Sequence, residues 1–128
     1  MRIFLVKSVE KFVRQERIAN AALVKAVADA EQGSIAADLG AGVIKQRVAR
    51  HGQGKSGGYR TILAFRIKDR AVFMYGFAKN ERDNIGPKEL EAFKAAADGW
   101  LKATDLQINA LKERKALFEI EVENGPST

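Results

Sequence analysis

Apolar and polar positions along the chain change period several times, and each change marks a new element. Residues 2 to 7 are apolar and β-branched enough for a short first strand. Ser8 stands where a helix cap would, and Val9, Phe12 and Val13 recur after it at helical spacing. A second helix carries Leu23, Val24, Val27 and Ala30 on one face, and Gly33 ends it. Gly33, Gly40 and Gly42 make the stretch 33–42 read as a loop.

The middle of the chain has strand periodicity. In 43–50, Ile44 and Val48 alternate with Lys45 and Arg47. From 59 to 67, Tyr59, Thr61, Leu63, Phe65 and Ile67 share one face, while Arg60, Ile62, Ala64 and Arg66 share the other. Lys68 and Asp69 make a short turn, and Ala71 to Ala78 is apolar on both faces, as a central strand would be. Pro87 then suits the first turn of a helix with Leu90, Phe93, Ala97 and Trp100, weakly interrupted at Asp98-Gly99. Thr104 can cap a further helix through Leu111, and Phe118, Ile120 and Val122 alternate with glutamates as an acidic edge strand or clasp. The order β-α-α-β-β-β-α-α-β is an α+β fold, and three strands joined by short loops imply an antiparallel sheet.

At 128 residues and 46% hydrophobic content, the chain is expected to form one globular domain over 1–123, with a disordered tail over 124–128. No apolar run approaches the roughly 18–20 residues of a membrane span, and Ile3 to Val6 are too few for a signal-peptide core. The absence of cysteine removes disulfides and thiolate chemistry and fits a cytoplasmic address, with no membrane partner expected.

Charge sharpens this picture once it is located. Residues 45–82 hold Lys45, Arg47, Arg50, Lys55, Arg60, Arg66, Lys68, Arg70, Lys79 and Arg82 against only Asp69 and Glu81. That zone carries +8 of a total of +6, so the rest of the chain is mildly acidic. A compact cationic zone between acidic flanks points to a polyanion, most often nucleic acid.

The stretch Gly52-Gln53-Gly54-Lys55-Ser56 invites comparison with a phosphate-binding loop. That motif needs a glycine six residues before its lysine, where Ala49 stands, and a helix after it, where Gly57-Gly58 and a strand follow. A hairpin-like loop carrying a lysine is expected instead. His51 is the sole histidine, so neither a two-histidine nuclease nor a histidine-rich metal site can form, and a solvated loop position suits it. Asp69, Glu81 and Asp83 lack metal-ligand spacing and stand beside cations as ion-pair partners, so neither metal nor cofactor is expected.

What remains is the cluster of bases. Lys45 and Arg47 share a strand face, Arg60 joins them if its polar face is the same one, and Lys79 closes the third strand after Phe77. Such a cluster can cleave RNA without metal: one group takes the 2′-hydroxyl proton, another protonates the leaving 5′-oxygen, and the others neutralise the phosphorane. A plain phosphate-binding face fits the same residues.

The run from Lys45 to Ala97, with GKSGGYR (54–60), a hydrophobic strand and then GFAKN (76–80), resembles the RelE/ParE toxin superfamily. Within it, the likeness is to the RelE-like branch that includes HigB-type toxins. The resemblance implies the RelE-like microbial RNase fold, with N-terminal helices packed on a small curved antiparallel sheet, as well as messenger-RNA cleavage on the translating ribosome and neutralisation by a co-encoded antitoxin of helix-turn-helix type. It implies that Arg60 and Lys79 occupy catalytic or phosphate-stabilising positions, that Arg47 is catalytic beside them, and that Lys55 is a supporting base, with Lys45 a lesser candidate. Arg50, Arg66 and Arg82 complete the expected RNA-binding set. Two departures stand out. Some RelE relatives carry a late tyrosine that stacks on a base, but no tyrosine follows Tyr75 here, so stacking falls to Phe118 or another aromatic or is absent; and Gly86 replaces the serine cap before Pro87. A ParE-like gyrase inhibitor and a non-catalytic nucleic-acid-binding protein are the alternatives on the same fold.

Overall fold

The computed structural model describes residues 1–50 and 54–122, the side chains of 54–57 excepted. The chain runs β1 (Arg2–Val6), α1 (Lys7–Glu16), α2 (Asn20–Glu31), β2 (Ala37–Gly40), β3 (Val43–Arg50), β4 (Gly54–Arg66), β5 (Arg70–Ala78), α3 (Pro87–Lys102), α4 (Asp105–Glu113) and β6 (Leu117–Ile120). The α+β class therefore stands as read from the pattern. The loop placement of His51 and the disordered tail 124–128 lie outside the described residues.

The six strands form one sheet in the order β2-β3-β4-β5-β1-β6. Strands β2 to β5 form an antiparallel meander, as short connections require. The expectation of a wholly antiparallel sheet is corrected at β1, which pairs parallel to β5. The reason is the crossover: α1 and α2 carry the chain across one face to the far edge, and three reversals then return β5 alongside β1. Strand β6 adds antiparallel to β1 as an edge strand.

Three local expectations also change. The stretch 33–42 contains strand β2, a short partner of β3 without alternating apolar positions. The turn from β2 to β3 runs through positive φ at Gly40, Ala41 and Gly42 (89°, 54° and 81°). Ser8 is no cap, because β1 passes directly into α1 with Val6 as the extended residue before it. Lys55 belongs to strand β4, not to a loop, so no helix follows it.

Each face of the sheet carries its own core. Ile3, Leu5, Ile44, Val48, Tyr59, Leu63 and Phe73 pack under α1 and α2, meeting Val9, Val13, Leu23 and Val27. Phe4, Val43, Ile62, Ala64, Val72 and Met74 pack under α3 and α4, meeting Ala97, Leu101 and Ile108. The long amphipathic hairpin β3–β4 supplies both cores, as a strand with period-2 apolar positions on each side must.

Helix termini follow local chemistry. Thr104 caps α4, its Oγ1 accepting from Gln107 N–H at 3.1 Å while Gln107 Oε1 accepts from Thr104 N–H at 2.8 Å. Arg70 is buried at the C-terminus of α3, where its Nη1 donates to the carbonyls of Trp100 (2.8 Å) and Ala103 (2.7 Å). Gln46 is buried on the opposite side: its Nε2 donates to Ala26 O and Ser34 O, and its Oε1 accepts from Ala36 N–H. It thereby ties α2 and the segment before β2 to the sheet.

Candidate functional site

Register decides which bases meet. Arg47 on β3 is the direct Cα partner of Arg60 on β4, and Arg60 is the partner of Phe77 on β5. The next row, on the same face, is Lys45, Ile62 and Tyr75. Both rows lie on the face that α3 and α4 cover further along the strands.

Their alignment depends on a bulge. Between Ile62 and Leu63 the β5 partner jumps from Tyr75 to Phe73, leaving Met74 as an extra residue. Met74 and Tyr75 consequently both serve the α3 side, and every residue beyond them changes face relative to simple alternation. Phe77 is thereby aimed beside Arg60, while Gly76 turns toward α1. A Cβ at Gly76 would come within 2.8 Å of the Phe12 ring, so this close approach requires glycine.

Arg60 is the central feature. Only 9% of it is exposed, and its Nη1 is buried without a hydrogen-bond partner among the described residues. Burial first, and the neighbouring Arg47 charge second, push its pKa down. A buried cation facing a like charge is costly for folding alone, which makes Arg60 the leading candidate for binding an anion. Arg47 beside it is exposed. Lys79 is exposed two residues beyond Phe77, where the chain leaves β5 in a turn closed by Glu81 N–H to Ala78 O at 3.0 Å.

The segment after β5 forms a wall along this face. Lys45 Nζ donates to Asn84 Oδ1 at 3.4 Å, which links β3 to it. Arg82 Nε donates to Asn84 O at 3.0 Å, and its two terminal nitrogens grip Glu89 at 2.6 and 3.1 Å. Its Nη1 also donates to Tyr75 Oη at 3.1 Å. The hydrogen bonds to Glu89 and then to Tyr75 raise the Arg82 pKa, and the Glu89 carboxyl is correspondingly lowered, with a further contribution from Gly86 N–H. Glu89 accepts from that N–H at 2.8 Å, which is the glutamate half of a capping box; the half that a serine side chain would supply is missing at Gly86. Arg82 sits 5.5 Å over the Phe77 ring and 5.7 Å over that of Tyr75, which in turn stacks on Phe93.

The bases of the central zone therefore divide. Arg47, Arg60 and Lys45 come to one end of one face, with Arg82 at its edge, and Lys79 follows β5 just beyond Phe77. Arg50 lies over the Tyr59 ring at 5.7 Å, on the α1 side, where Tyr59 Oη donates to Glu16 at 3.0 Å. Arg66 is six residues from Arg60 on the same strand, about 20 Å away, and binds Leu101 O and Asp69. Arg70 is structural. The side chain of Lys55 lies outside the description. Phe118 is corrected as a stacking candidate: it packs on the α1 side of edge strand β6, three strands from Arg60 and on the opposite face. The aromatics at the site are Tyr75 and Phe77, together with the clamp residue Glu89; none was singled out from sequence. The Gly86-Pro87-Lys88-Glu89 helix-start pattern was the available signal for Glu89.

Residues 1–120 match the family model described as the RelE toxin of the RelE/RelB toxin-antitoxin system. The chain belongs to the RelE toxin family. It is thus a toxin of a toxin-antitoxin system, and a cognate antitoxin is its partner. A search of curated proteins finds no match. Among the described residues of the toxin, no group of three or more His, Asp or Glu side chains gathers as metal ligands, and no helix is long and apolar enough to cross a membrane.

Proposed function

We propose that this toxin is a metal-independent messenger-RNA endonuclease that acts in the cytoplasm on the translating ribosome. The observation that carries this reading is buried Arg60, its Nη1 unpaired, beside exposed Arg47. A phosphate seated between these two guanidiniums would satisfy the buried donor and cancel the repulsion. Two guanidiniums also match the charge that grows on a phosphorane as the 2′-oxygen attacks.

Guanidinium does not give up its proton, even where burial lowers its pKa, so Arg60 and Arg47 are assigned to phosphate and transition-state charge. Lys79, at the end of β5, is the nearby side chain type that changes protonation state and is assigned proton transfer. The 2′-hydroxyl gives up its proton as its oxygen attacks phosphorus, the P–O5′ bond breaks, and the leaving 5′-oxygen takes up a proton, so that the products are a 2′,3′-cyclic phosphate and a 5′-hydroxyl. Lys45 supports the backbone on the adjacent row, with Lys55, Arg50 and Arg66 as more distant phosphate contacts. The antitoxin is proposed to be of the helix-turn-helix type that accompanies HigB-like toxins.

Primer extension on cellular messages after brief induction tests this reading, with the Arg60→Ala/Lys79→Ala double variant run in parallel. Codon-related cuts for the wild type and none for the variant are expected. Growth arrest with intact messages and gyrase-linked DNA breaks would replace it with gyrase inhibition. RNA binding without arrest or cuts would leave a non-catalytic binding protein.

A further inference from the structure

Arg82 differs from the other cations at the site because its hydrogen-bonding capacity is already spent. A guanidinium has five N–H donors, all in its plane. Asn84 O, Tyr75 Oη and the two oxygens of Glu89 take four of them. A phosphate approaching the edge would find one N–H left, with a carboxylate 2.6 Å from the same nitrogen. Arg82 is therefore poorly suited to phosphate binding.

What it retains is its plane. Its Cζ lies 5.5 Å from the centre of the Phe77 ring and 5.7 Å from that of Tyr75, within cation–π range of both. With four of its donors engaged, its side chain is nonetheless 33% exposed. Phe77 is buried beneath it, and Tyr75 is engaged with Phe93 and with Arg82 itself. The guanidinium is thus a planar cation against two aromatic rings, and Phe77 beneath it sits one strand spacing, about 4.8 Å, from Arg60.

We propose that Arg82, locked by Glu89, is the platform on which a nucleobase next to the Arg60-bound phosphate stacks. Nucleobases stack on guanidinium planes as they do on aromatic rings, and a plane held by four hydrogen bonds loses little freedom on binding. The clamp thus takes the role left open by the absence of a late tyrosine. The inference rests on the RNA-cleavage reading for the phosphate site, yet it concerns binding and is measured without cleavage.

The test uses the full-length protein and a short single-stranded RNA made uncleavable by 2′-O-methylation. Affinity is read by fluorescence anisotropy for the intact strand and for a series with one abasic position each. For the wild type, removal of one particular base should weaken binding about 5- to 100-fold. Arg82→Lys keeps the positive charge but has no flat surface, so that penalty should disappear. Glu89→Gln, which frees the guanidinium to rotate, should reduce it, and it serves in place of Arg82→Lys if that variant's thermal melt shows it unfolded. No base-dependent penalty in the wild type, no RNA binding, or the same penalty in these variants would overturn the proposal. A wild type with the penalty but without message cleavage in cells would retain the platform and remove the nuclease reading.

Discussion

Arg47 and Arg60 face each other directly across the β3–β4 ladder, two positive charges on the same side of the sheet with one of them buried. Like charges directly opposite are destabilising by roughly 0.2–1 kcal/mol, and a buried unpaired donor adds to that. Arg60→Met should therefore raise the urea midpoint, by about 1 kcal/mol in unfolding free energy, while abolishing growth arrest. A variant that loses both stability and toxicity would make Arg60 a structural residue.

Arg47 is exposed beside the buried partner, and on the RNA-cleavage reading proposed above its role is phosphate neutralisation. Arg47→Ala should weaken RNA binding evenly across sequences and reduce the slope of log K against log salt by about 0.7. Titrations at several salt concentrations measure this, and an unchanged slope would place Arg47 outside the phosphate path.

Arg70 belongs to the same basic stretch of sequence but not to the site. Its Nη1 holds two carbonyls at the end of α3, and its Nη2 lies 3.3 Å from Asp105. Arg70→Met should cost about 2–4 kcal/mol by leaving these groups without their cation. RNA affinity per folded molecule should stay unchanged, as a binding assay below the melting transition would show.

Glu119 reads out pH. Hydrogen bonds from Arg2, opposed by burial and aided by Lys112, bring its carboxyl down to about 2 from 4.5. A depressed folded-state pKa means stability that is present above about 4.5 and is lost as pH falls toward about 2. Glu119→Gln should lower the melting temperature at pH 7 and flatten its decline across that acid window. A decline as steep as the wild type's would assign the acid transition to other groups.

Gly76 and Gly58 should respond differently to substitution. A Cβ at Gly76 meets the edge of the Phe12 ring, whereas one at Gly58 meets Val48 O at 2.2 Å and Arg50 N at 2.9 Å. Gly76→Ala should cost about 1–3 kcal/mol and be largely rescued by Phe12→Leu. Gly58→Ala should cost at least as much and resist rescue, because the backbone of β3 cannot be trimmed. Denaturant midpoints of the single and paired variants check this.

The two rows of the site show how far the sequence reaches. Alternation from Tyr59 to Ile67 placed Arg60 and Ile62 on one face, and alternation in 43–50 placed Lys45 and Arg47 together. Both hold, because period-2 alternation is a local property of an extended chain. Whether those two faces are the same one depends on pairing register, which is a relation between strands. Strand β2 was illegible for a related reason: four residues with one strongly paired neighbour leave no periodic trace.

Local chemistry by itself determined the elements other than β2, the Thr104 cap, the central basic zone and the RelE resemblance, since each is written in consecutive residues. Tertiary structure alone decided which bases form a site. The parallel placement of β1 came from a crossover, and Arg66 and Arg70 were drawn off to the end of α3. A single extra residue at Met74 turned Tyr75 and Phe77 toward Arg60. Continued alternation past that point would have put Phe77 under α1, and the plane of Arg82 would have had nothing to rest on. The physical reason is that a side chain's direction is inherited from its neighbours along the strand only until hydrogen-bond register shifts, and pairing with β4 sets that shift.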